Sequence, residues 1–120
     1  MNKDIQIDQR VRYLVDILNK IPGVSTSSSC GGHEGTLESS QLPSDEFYVD
    51  LIIEEDGSGW GVLEFLVEII QSYPPGFLEL KPWFDGGLRW DLHGYKSFNP
   101  DDLAKFLESA LKIVLRTSET

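Results

Sequence analysis

The chain has 120 residues, 40% of them hydrophobic and 25% charged, which fits one globular domain that can bury a core without disulfide or metal staples. Twenty acidic side chains against ten basic ones give a formal net charge of −10. That balance weighs against a nucleic-acid partner, which needs a basic stripe for phosphates, and against anionic membranes, and it favours solubility. The lone cysteine, Cys30, leaves no partner for an internal disulfide. Met1-Asn2-Lys3-Asp4 leads into an amphipathic pattern and not into the apolar core of a signal peptide. The most apolar run, residues 62–70, is broken by Glu64 and Glu68 and is too short to span a bilayer. A reducing cytoplasm is the expected compartment.

Ile7, Val11, Leu14, Val15 and Leu18 recur at helical spacing and predict a first helix over about residues 5–19. Ile21-Pro22-Gly23 ends it. Residues 24–27, β-branched or small, predict a short strand, and residues 28–40, rich in Ser and Gly, predict a long loop. Phe47-Tyr48-Val49-Asp50-Leu51-Ile52-Ile53 is a strong strand, followed by an acidic turn over 54–59. Residues 60–72 predict a second helix, with Leu63, Leu66, Val67 and Ile70 on one face, widened by Phe65 and Ile69 into the most buried helix of the three. Trp60 is expected to anchor its packing.

Residues 77–84 and 88–95 predict two strands joined by Asp85-Gly86-Gly87, a hairpin signal. Asn99-Pro100-Asp101-Asp102 opens a third helix: an N-cap, a proline at the first helical position and two aspartates at the positive end of the dipole. Leu103, Phe106, Leu107, Ala110, Leu111 and Val114 continue it, and the polar tail over 116–120 frays. The order α-β-β-α-β-β-α predicts a single α+β domain over 1–120, a four-stranded, mostly antiparallel sheet with helices on one face.

Chemistry concentrates between Thr26 and His33, where four hydroxyls, a thiol and an imidazole fall together around Gly31 and Gly32. Glycines let a ligand or another chain segment approach the backbone closely, and consecutive amides can form an anion nest. Thr26, Ser28, Ser29 and Gly32 are therefore candidate ligand-binding residues. Cys30 and His33 are candidate catalytic residues, a thiol made nucleophilic by a neighbouring imidazole, with His93 the alternative base. Cys30 and His33 also have C-x-x-H spacing, with His93 a third possible ligand, but one cysteine suits a closed zinc site poorly, and a metal would need carboxylates such as Glu34 or Asp91 in an open site; no metal ligand is assigned. The plain alternative is a glycine-serine loop around a small buried thiol.

On the last strand, Arg89, Asp91, His93 and Tyr95 alternate with Leu88, Trp90 and Leu92. Arg89 and His93 join the candidate site if their face lines the same cleft, with Arg89 a bidentate donor for a carboxylate or phosphate. If Glu79, Lys81 and Trp83 share that face, it has mixed charge and an aromatic plate, which suits a small polar ligand better than a nucleic-acid backbone.

The segment Ser27-Ser28-Ser29-Cys30-Gly31-Gly32-His33, preceded by Thr26 and by a helix ending in Ile-Pro-Gly-Val, resembles the Ser-Ser-Cys-x-Gly-Arg segment of the wyosine-base tRNA methyltransferase family. Ser28, Ser29, Cys30 and Gly32 match; His33 stands where that family has arginine. The resemblance implies a related fold and methyl transfer from S-adenosylmethionine to a modified guanine in tRNA. The segment also resembles small bacterial and phage proteins of unknown function that carry Ser-Cys-x-Gly-His after a helix.

The leading expectation is thus a cytoplasmic domain binding a small polar or anionic ligand at residues 28–33. The alternatives are an enzyme, thiol-dependent or an S-adenosylmethionine-dependent RNA-base methyltransferase relative, and a protein-interaction module docking through the hairpin, whose mark is an exposed apolar patch near Trp83 and Phe84. The sequence specifies no cofactor and no oligomeric state.

Overall fold

Residues 9–32, 42–43, 45–55, 57–84 and 86–118 are described by the computed structural model, with the backbone alone at 57–58 and 114–118. The expected helix start near Ile5, most of the loop over 28–40, and His33 with it, lie outside these residues.

A turn of 3-10 helix, Gln9–Val11, runs into α1, Arg12–Leu18. β1 (Val24–Cys30) and β2 (Phe47–Ile53) follow, then α2 (Gly57–Gln71), β3 (Leu78–Phe84), β4 (Leu88–Gly94) and α3 (Pro100–Ser118). The four strands form one antiparallel sheet in the order β1-β2-β4-β3, so the α+β class and element order are as the sequence predicts. Asn99 caps α3, its side-chain oxygen accepting the Asp101 N–H at 2.9 Å. No helix among the described residues is long and apolar enough to cross a membrane.

β2 alternates strictly. Phe47, Val49, Leu51 and Ile53 are buried, while Tyr48, Asp50 and Ile52 are half-buried on the other face. The buried face meets Leu14, Val15 and Leu18 of α1, Leu66 and Ile69 of α2, and Leu103 and Leu107 of α3 in one core. All three helices therefore share one side of the sheet, and the opposite side carries the polar alternation positions.

Three features depart from the sequence expectations. β1 extends through Ser28, Ser29 and Cys30, which the serine-rich composition marks as loop. The reason is cross-strand pairing: Ser28, Ser29 and Cys30 pair with Asp50, Val49 and Tyr48, after a bulge between Thr26 and Ser28. α2 is not the most buried helix. Among its described residues the buried hydrophobic side chains are Leu66 and Ile69, whereas α1, packed against both α3 and β1, buries Leu14, Val15, Ile17 and Leu18. Trp60 is no packing anchor: it is 75% exposed. At about 100° per residue it sits on the opposite side of α2 from Ile69.

Gly94 of β4 pairs with Phe47 of β2, and a Cβ there would overlap the Phe47 ring, itself wholly buried. Gly94→Ala should cost about 1–3 kcal/mol by overpacking. Gly61→Ala, with open space around that position on an exposed helical face, should gain about 0.5–1 kcal/mol. Urea unfolding of both variants checks this; equal effects would refute the packing assignment.

Candidate functional site

The register lines up two rows of side chains across the open face. One row is Ser28, Asp50, Asp91 and Lys81; the other is Cys30, Tyr48, His93 and Glu79. Trp83 pairs with Arg89 beyond the first row. Directly opposed residues on an antiparallel sheet bring their side chains within contact distance. The expected common face of Glu79, Lys81, Trp83, Arg89, Asp91 and His93 is thus present.

Along these rows runs an open groove of about 460 Å³, walled by Tyr48, Trp83, Pro82 and Leu42 and floored by Asp50, Lys81, Asp91 and His93. Ser28 donates its hydroxyl to Asp50 Oδ2 at 2.7 Å. His93 is 9% exposed; its Nε2 lies 2.9 Å from Glu46 Oε1 and its Nδ1 3.6 Å from Asp91 Oδ2. Tyr95 stacks on the imidazole at 4.3 Å between centroids and donates its hydroxyl to Glu79 at 2.6 Å. The histidine is held in place by a carboxylate at each nitrogen and a ring on its face.

Asp91 is the anomaly. Its Oδ1 is buried with no hydrogen-bond partner among the described residues, and its cross-strand neighbour is another carboxylate, Asp50. Burial raises the Asp91 pKa above its ordinary value; His93 pulls it down and Asp50 pushes it up. Glu79 moves the other way, lowered chiefly by the hydrogen bond from Tyr95. Burial first, then the bond to Glu79, raises Tyr95 strongly, and burial raises Tyr48.

Some expected site residues belong to this groove and others do not. Ser28 and His93 belong to its rows. Thr26 serves packing: Asn19, which caps the end of α1, donates to its hydroxyl and accepts its backbone N–H, both at 3.1 Å. Ser29 pairs with the buried Val49 and so faces the helices. Arg89 shares the open face, but its guanidinium lies against Gly87, beyond the lining of the groove. Cys30 is buried, and Tyr48 stands between it and His93 in their row. Two strand spacings, roughly 9–10 Å, separate those two backbones.

Gly32, at φ +93°, brings its backbone against the carbonyls of Pro43 and Glu46 and the guanidinium of Arg10, while Arg10 donates to the Gly31 carbonyl at 2.6 Å. The two glycines thus admit another chain segment, the one that delivers Glu46 to His93. Among the described residues, no three His, Cys, Asp or Glu side chains come together as a metal-ion site. The residues that sequence reasoning missed are Asp50, Tyr48 and Glu46. Asp50 and Tyr48 carried a signal, being the polar alternation positions of a strong strand; Glu46 carried none.

No family model, curated protein or solved structure matches this chain.

Folding raises the Asp91 pKa, so above its ordinary value of 3.8 there is a window in which the native state holds more protons than the unfolded chain. Stability contributed by Asp91 falls as pH rises through that window. Asp91→Asn should therefore stabilise the protein at pH 7, by up to about 1 kcal/mol on the scale of an opposed like-charge pair. The gain should vanish near pH 3, where the carboxyl is protonated in both states. Urea unfolding at both pH values tests it, and an equal gain at each would refute the electrostatic origin.

Proposed function

We propose that this chain binds a small polar ligand in the open-face groove, in the cytoplasm, where a lone buried thiol stays reduced. The observation that carries the reading is Asp91 Oδ1, an acceptor buried in the sheet without a partner among the described residues. Leaving such a group unsatisfied costs about 1–3 kcal/mol, and a ligand donor would recover that if the carboxylate turns this oxygen into the groove that Asp91 lines. Asp50 and Asp91 offer acceptors, Lys81 a donor, and Tyr48 and Trp83 offer flat apolar faces. The preponderance of carboxylates favours a donor-rich, planar molecule over an anion. Ser28 contributes from β1 by orienting Asp50.

A second reading, an enzyme, has one observation in its favour. Glu46, His93 and Asp91 form a carboxylate–imidazole–carboxylate chain of the kind that positions an acid or base. The resemblance of residues 27–33 to the wyosine-base methyltransferases adds S-adenosylmethionine to the candidate ligands.

Calorimetry and amide NMR titration with adenine, agmatine, S-adenosylmethionine and inorganic phosphate test these readings. Adenine or agmatine should bind saturably, shift the signals of Lys81, Trp83 and His93, and lose about tenfold in affinity in Asp91→Asn and in Trp83→Ala. Phosphate should not bind. Undiminished binding by Asp91→Asn, or shifts confined to residues away from the groove, would sink the groove as the site. Tight binding of S-adenosylmethionine would move the weight to the methyltransferase reading.

A further inference from the structure

The helix-covered face of the sheet is not covered to its end. At the tip of the β3–β4 hairpin, Leu88 and Trp90 of β4 and Leu63 of α2 line a second groove of about 260 Å³, and Trp60 forms its outer wall. Phe84, the cross-strand partner of Leu88, extends the same apolar strip and is 77% exposed; Trp60 is 75% exposed. Isolated exposed apolar residues are ordinary, but two large aromatics beside a concave apolar floor are the composition of a docking site. Beside Ile53 the lining turns acidic, with Glu55 and with Glu54, whose side chain also reaches Gly23.

We propose that this groove docks a basic segment of another polypeptide, one apolar anchor side chain flanked by Lys or Arg. The apolar floor takes the anchor, and Glu54 and Glu55 take the flanking cations. Charge separates this occupant from its rivals. In a two-fold contact between copies the acidic lining would meet itself, on a chain whose net charge is −10. An anionic lipid surface is repelled for the same reason. The hairpin edge is also a poor template for strand addition, because Pro82 of the edge strand β3 has no N–H to donate. The partner therefore engages through side chains seated between α2 and the hairpin.

The test is a phage-displayed random-peptide library panned on the full chain, with the Trp60→Ser/Phe84→Ser double variant as counter-selection. Both replaced side chains are exposed, so the variant should fold, and circular dichroism confirms that before panning. Enriched peptides should carry an aliphatic or aromatic residue next to Lys or Arg. Measured by fluorescence anisotropy, their affinity should fall about tenfold in the double variant and in Glu54→Gln/Glu55→Gln, and should weaken as salt rises. Three results overturn the proposal: no enrichment over the double variant, enriched peptides without basic residues or indifferent to the glutamine replacements, or a dimer in sedimentation that Trp60→Ser abolishes. The third makes a second copy the occupant. Asp91→Asn, which should weaken ligand binding in the other groove about tenfold, should leave peptide binding unchanged.

Discussion

Strict alternation along β2 is the constraint on which the rest of the molecule depends. Phe47, Val49, Leu51 and Ile53 all turn to one side, and all three helices pack there. The even positions, Tyr48 and Asp50, are thereby committed to the other side, where antiparallel pairing sets Asp50 opposite Asp91 and Tyr48 opposite His93. A slip of one residue would carry Asp50 into the core and expose Phe47 and Val49, so burial of the helix-covered face fixes the register of the polar one. Phe47 contributes twice: its ring also fills the space over Gly94, which holds β4 in that register.

The polar rows carry a local electrostatic cost. Two carboxylates opposed on neighbouring strands repel, and one of them buries an oxygen that no described residue satisfies. Other carboxylates nearby are well partnered: Glu46 by His93, Glu79 by Tyr95 and Lys81. The same short stretch of sheet therefore contains both satisfied and unsatisfied acids, and the unsatisfied one faces the groove. That contrast within one stretch of sheet is the ground on which the ligand-binding proposal stands.

Much of this was legible in the sequence, and what was not has specific causes. The alternation of Arg89, Asp91 and His93 against Leu88, Trp90 and Leu92 is a period-two signal, and the hairpin link assigned Glu79, Lys81 and Trp83 to the same face. The cap at Asn99 was legible because capping is local. The identity of β1 was not, since a run of serines has no strand signature of its own and becomes a strand only because β2 lies beside it. Thr26 and Ser29 fell to the helix side because a bulge resets the alternation at Ser27, and bulges leave no mark in composition. Glu46 precedes its strand, and its meeting with His93 is purely tertiary, a contact no spacing rule reaches.

Trp83 and Phe84 are adjacent in the chain, yet they belong to different surfaces. Pairing with Arg89 turns Trp83 to the polar groove, and pairing with Leu88 turns Phe84 to the apolar one. Both lie on an edge strand, where exposed aromatics ordinarily invite edge-to-edge association. Lys81 and Pro82 immediately precede them, one charged and one without a backbone donor, and both are exposed. These are devices that blunt a strand edge while leaving side chains free to act. The hairpin tip can thus display two aromatic rings on opposite faces without turning its backbone into a template. With its edge blunted in this way, the hairpin leaves only side chains, not its backbone, to serve the two proposed sites.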